Sequence, residues 1–156
     1  MENKIAHDSR WWVIRWVYAA IVGHLVLALA LPWIAASPMF DGYHRIVEQA
    51  FWGHVHAPQA ARAQQIWWIG LFGPTVQSAA VWMGALAYFG ERQRSTFAWA
   101  ALIVGIAVWA PQDLVMSLHA NCWPNALIDA FAVVLLVPPL TWLYIYDRTH
   151  DRRAAA

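Results

Sequence analysis

Trp109-Ala110-Pro111-Gln112-Asp113-Leu114-Val115-Met116-Ser117-Leu118-His119 sets an amide and a carboxyl group inside a run that is otherwise apolar. A carboxylate at the centre of a membrane helix costs roughly 2.5–3.5 kcal/mol on insertion scales, so such a residue faces a protein interior or a wet cavity. The surroundings decide that this run is a membrane span. Of 156 residues, 61% are hydrophobic, 12% are charged and twelve are tryptophan. The charges fall almost entirely between and beyond the apolar runs, as in an integral membrane protein and unlike a water-soluble globule.

Four runs, residues 11–36, 66–90, 96–118 and 123–146, are long enough to cross a bilayer core of about 30 Å at about 1.5 Å per helical residue. The first follows a polar lead, Met1 to Arg10, and is too long for a signal-peptide core, so it reads as a retained span with Pro32 and Pro38 at its exit. In the connection over residues 37–65, Phe40, Tyr43, Val47 and Phe51 recur at helical spacing while Asp41, His44, Arg45 and Glu48 take the other positions. That pattern predicts a short amphipathic helix over residues 40–52, lying in the interface and ended by Gly53, Pro58 and Gln59. Glu91-Arg92-Gln93-Arg94 reads as a tight polar turn. The expected fold is all-α: one domain, an integral membrane four-helix bundle with an interfacial helix in its first outer loop.

Lys4, Arg10, Arg15, Arg92, Arg94, Arg148, Arg152 and Arg153 share one side of such a bundle, which the positive-inside rule makes cytoplasmic, as in a bacterial inner membrane. Trp33, Trp67, Trp68 and Trp123 then form an outer aromatic belt, and Trp11, Trp12, Trp99, Trp142, Tyr144 and Tyr146 an inner one.

The intramembrane polar residues concentrate in the outer half. Asp129 lies about 9 Å in from Trp123, Asp113 about 8 Å below Leu118, and His24 near mid-membrane. Trp109, Asp113 and Ser117 recur at i, i+4, i+8, and Asn125 and Asp129 at i, i+4, so each set shares a helix face. Pro74 and Pro111 loosen the carbonyls of Gly70 and Ala107, which predicts that the second and third spans bend apart around an outward pocket, with the residue 40–51 helix as a lid.

Two carboxyl groups in a low-dielectric site do not readily ionise together, so Asp113 and Asp129 can divide acid and base roles, with His24 relaying a proton. Gln77, Gln112 and Asn125 would orient the substrate, and Trp109 and Ser117 would line its face. Such a site suits acid–base chemistry on a lipophilic molecule such as an isoprenoid, sterol or quinone. The plainer reading makes the same aspartates interhelical hydrogen-bonding groups, worth about 0.6 kcal/mol each.

Two other classes stand beside it. One is a non-catalytic accessory subunit packed in a larger membrane complex or a homodimer. The other is a metal-handling protein using His54, His56, His119 and Cys122, a weak ligand pattern. The single cysteine rules out an internal disulfide, and only His24 is deep enough for a haem ligand within one chain. Phosphate-cradling loops, serine–histidine–aspartate arrangements and nucleic-acid-binding surfaces are missing, which excludes a nucleotide-driven pump, and no cofactor is indicated. Membrane lipid and a lipophilic small molecule are the expected partners.

Over its whole length the chain is similar in layout to the EXPERA group, which includes emopamil-binding sterol isomerases. That group has four spans, cytoplasmic ends, a long first outer loop and acidic residues in the membrane. The resemblance is one of topology, and no site residue is carried over from it.

Overall fold

The computed structural model describes residues 2–53 and 57–154. In chain order these form α1 (Glu2–Ile34), a 3₁₀ turn (Pro38–Phe40), α2 (Asp41–Trp52), α3 (Gln59–Gln93), α4 (Thr96–His119) and α5 (Trp123–Ala154). Four helices are long and apolar enough to cross a membrane, over Ser9–Ile34, Gln59–Gln93, Thr96–His119 and Trp123–His150. The protein is an all-α integral membrane bundle. Helix α1 lies along α3 and α4 along α5, and further contacts of α3 with α4 and of α1 with α5 close the bundle.

The helices outrun the hydropathy pattern at their ends. Gln59 to Gln65 is rich in Ala, Gln and Arg, all good helix formers, so α3 starts well before its apolar portion. Its far end also continues, so Glu91 to Gln93 is helix and not the polar turn the charges suggest. Only Arg94 and Ser95 separate α3 from α4. Arg94 takes a left-handed conformation, φ 50°, and the Ser95 hydroxyl accepts from the Ala98 N–H at 3.3 Å to cap α4. Pro32 likewise lies inside α1 instead of ending it.

The core is a seam of Ile14, Val17 and Ile21 with Ala87, Trp99, Leu102, Leu136, Leu140 and Leu143. On α5 the buried stripe runs Ala126, Asp129, Ala132, Leu136, Leu140, Leu143, Asp147, the three-and-four spacing of one helix face. An acid therefore stands near each end of an apolar stripe.

At the end of the bundle that carries the chain termini, Asp147 is completely buried and joins four helices. Arg10 of α1 donates to it through Nε at 2.9 Å and Nη2 at 3.0 Å, and the Trp99 indole N–H of α4 donates at 2.9 Å. Arg94 stands 3.7 Å away. The same Arg10 nitrogen Nη2 donates to the carbonyls of Gly90 and Glu91, which the end of α3 leaves unpaired. Trp99 is thus no member of the inner aromatic belt: it is 0% exposed and packed so closely on Gly90 that a Cβ there would stand 2.4 Å from the indole ring.

Two proline bends are answered by side chains from other helices. Pro32 leaves the Ala28 carbonyl without its helical donor, and Gln77 Nε2 of α3 donates to it at 3.2 Å. Gly73 permits that approach, since a Cβ there would meet the Ala28 oxygen and Pro32 Cδ at 2.8 Å each. Pro139 does the same to the Leu135 carbonyl, which accepts from the Trp16 indole N–H at 3.0 Å.

Candidate functional site

The opposite end of the bundle holds α2 and the α4–α5 turn. Helix α2 is amphipathic as the spacing predicts, with two corrections: His44 belongs to the inner face and is 1% exposed, and Phe51 points outward. His44 Nε2 donates to the Ala35 carbonyl at 2.7 Å, just past the end of α1, so a residue of polar type is drawn inward by an unpaired helix-end acceptor. On α2's other flanks, Arg62 of α3 pairs with Glu48 and, at 3.3 Å, with Asp41. The Tyr43 hydroxyl donates to Asn125 Oδ1 of α5 at 2.8 Å. Three ties, to α1, α3 and α5, hold α2 across this end.

Beneath Tyr43 the acids come together. The Cys122 thiol and the Asp113 and Asp129 carboxyl groups all stand near enough to the Tyr43 hydroxyl to act on it through space. Burial pushes the Tyr43 hydroxyl above its ordinary value of 10.0, the neighbouring thiol and carboxyl groups adding to the effect, so it remains a hydrogen-bond donor. Asp113 is half-buried and accepts from the Trp109 indole one turn earlier at 3.1 Å. Asp129 is 6% exposed, and its Oδ2 has no hydrogen-bond partner.

Buried polar atoms left unpaired are costly, at about 1–3 kcal/mol each. Among the described residues, four buried side-chain atoms lack a partner: Ser37 Oγ, His44 Nδ1, Gln65 Nε2 and Asp129 Oδ2. All four belong to this half of the bundle. At the terminal end, by contrast, Asp147 is saturated by donors.

The other residues singled out by sequence are spread around this centre. Asn125 belongs to it, through Tyr43, and Ser117 is buried at the end of α4, where its carbonyl accepts from the Cys122 N–H at 2.8 Å. Gln112 is exposed and donates to the Val108 carbonyl of its own helix. Gln77 is engaged at the α1 bend. His24 lies apart from the acids, in an apolar groove of about 390 Å³ between α1 and α5 that is also lined by Trp16, Gly23, Leu27, Phe131 and Leu135. Its Nδ1 donates to the Ala20 carbonyl at 2.8 Å, which leaves Nε2 as an acceptor. This groove lies between the first and fourth spans, and not between α3 and α4, where Pro74 and Pro111 were expected to open a pocket.

His119 is exposed and Cys122 buried in the α4–α5 turn, and among the described residues no three potential ligands converge. His54 and His56 lie outside the described residues. Sequence reasoning missed Tyr43 as a site residue, because its place in the apolar pattern of α2 conceals a hydroxyl that reaches another helix. Comparisons with protein-family models, with curated proteins and with solved structures find no match.

Proposed function

We propose that the α2 end of the bundle binds the polar head of a lipophilic small molecule, with Asp129 and Asp113 exchanging a proton with it. The observation that carries this reading is the Asp129 carboxyl, buried and unpartnered beneath the Tyr43–Asn125 bond. A carboxyl in that position needs a partner from outside the fold, and a hydroxyl, carbonyl or amine head group supplies one. Asp113 is the second group of an acid–base pair, and Asn125 and Tyr43 offer an amide and a hydroxyl to fix orientation. The apolar groove beside His24 accommodates an isoprenoid, sterol or quinone-like body, and Ala132, one turn beyond Asp129, belongs to its wall. Helix α2, tied to the rest of the bundle through Tyr43, His44 and Glu48, is the segment that moves to admit the ligand.

The distribution of Lys and Arg supports a bacterial inner-membrane location with both termini in the cytoplasm, which puts this site in the outer leaflet. A cysteine placed at exposed Arg45 is then labelled from the outer face. The function is tested by native mass spectrometry of protein released gently from its own membrane. A small lipophilic adduct held by the wild type and lost in Asp129→Asn and Asp113→Asn supports the site. A bare protein, or one bound only to other subunits, leaves the aspartates as structural groups in an accessory protein.

A further inference from the structure

Seven arginines have described side chains, and they fall into three groups. Arg10, Arg94 and Arg62 are in ion pairs with Asp147, Asp147 and the Glu48–Asp41 pair. Arg15, Arg92 and Arg148 are exposed, make no ion pair among the described residues, and each stacks over an aromatic ring four residues earlier on its own helix. The guanidinium carbons lie 5.2 Å from the Trp11 ring, 5.8 Å from Tyr88 and 5.8 Å from Tyr144. Arg148 also donates to the Tyr144 hydroxyl at 3.1 Å. Arg45 of α2 makes neither an ion pair nor a ring contact among the described residues.

Helix direction makes these three pairs converge on one level. Side chains lean toward the N-terminus of their helix. On α1 that direction leads out of the bundle, so Arg15, the deepest of the three by position, carries its charge outward to the Trp11 ring. On α3 and α5 it leads inward, so Arg92 and Arg148 lay their charges back over Tyr88 and Tyr144. The rings all lie within about one helical turn of the Arg10–Asp147 level, which is where an aromatic belt meets lipid head groups. A guanidinium held over a ring keeps most of its N–H donors free: Arg148 commits Nη1 to the Tyr144 hydroxyl and retains its Nε and Nη2 edge, and such a fork fits a phosphate bidentately.

We infer that Arg15–Trp11, Arg92–Tyr88 and Arg148–Tyr144 are three head-group sites for anionic phospholipid at the terminal end of the bundle. Among the acids with described side chains at this end, Asp147 is taken by Arg10 and Trp99, and Glu91 accepts from Tyr18 at 2.9 Å. The occupant is the phosphate of an anionic lipid, because the Trp11 and Tyr88 rings are exposed on the outer surface of the bundle and Tyr144 packs half-buried at its edge, where lipid tails cover them and a free anion has no use for them.

The test uses the full chain in neutral detergent, titrated with phosphatidylglycerol or phosphatidylcholine and read by native mass spectrometry. Each arginine near an anionic surface contributes about fivefold in affinity, so R15Q/R92Q/R148Q lowers phosphatidylglycerol binding on the order of 100-fold. R15K/R92K/R148K keeps the charge but loses the stacked fork, and falls between the two. R45Q behaves as wild type. Because the three side chains are exposed and in no ion pair among the described residues, an unchanged circular dichroism spectrum verifies that the variants fold. The inference is overturned if the glutamine variant matches wild type, if the lysine variant matches wild type so that charge alone suffices, if R45Q loses as much, or if millimolar inorganic phosphate displaces the lipid.

Discussion

Asp147→Asn preserves side-chain volume and removes the charge at the point where four helices meet. The variant keeps two bonds in neutral form, since an asparagine oxygen in the place of Oδ2 still accepts from the Trp99 indole and from Arg10 Nη2. It loses the Arg10 Nε bond at 2.9 Å, the charge that strengthens the Nη2 bond at 3.0 Å, and the longer attraction to Arg94. Removing one partner of a buried ion pair costs about 3–5 kcal/mol, mainly because the other charge stays behind. Arg10 retains the Gly90 and Glu91 carbonyls, and its side chain is 11% exposed, which places the loss at the lower end, about 3 kcal/mol. The folding constant then drops on the order of 100-fold. Reversible unfolding in mixed micelles of mild detergent and dodecyl sulfate measures it. Arg10→Gln and the double variant complete a thermodynamic cycle in which the two losses overlap strongly. A loss below about 1 kcal/mol, or single losses that simply add, would refute the view that this pair closes the bundle.

Three more outcomes follow from the same coordinates. Gly90→Ala forces Trp99 away from α3 and costs about 1–3 kcal/mol, whereas Gly105→Ala, where a Cβ meets nothing within 4 Å, leaves the same unfolding curve unchanged or slightly more stable. Tyr43→Phe removes the bond to Asn125 at a cost of about 1 kcal/mol and speeds hydrogen exchange in α2, while exchange in α5 beyond Leu136 stays as it was. The Arg62 hydrogen bond holds the Glu48 carboxyl below its ordinary value of 4.5. The stabilisation this gives to α2 is therefore complete above that pH and is lost as the pH falls through the depressed value. Exchange in α2 should rise on acidification below about pH 4.5 in the wild type and be insensitive there in Glu48→Gln.

Four spans and the short amphipathic helix were legible because each follows from a local pattern: apolar run length and helical spacing. Helix ends were less so, since Gln59–Gln65 and Glu91–Gln93 are polar and hydropathy registers lipid depth, not helicity. Asp113 and Asp129 stood out because an acid within an apolar run is rare, and the structure sets both near the Tyr43 hydroxyl. Asp147 did not stand out, since at a span's end, beside Arg148, it looks like any interfacial charge. Only tertiary packing shows that it is buried against Arg10, 137 residues away. His44 misled for the opposite reason: a polar residue on a predicted polar face was drawn inward by the Ala35 carbonyl.

The two answered proline bends have a dynamic consequence. Helix α1 gives a carbonyl to Gln77 on one side and an indole N–H to Leu135 on the other, so its bend and that of α5 are each latched to a neighbour. Rotating α1 by one residue, about 100°, would break both latches at once. The helix is therefore keyed in azimuth as a gear is keyed to its shaft, and any rocking of α1 carries α3 and α5 with it.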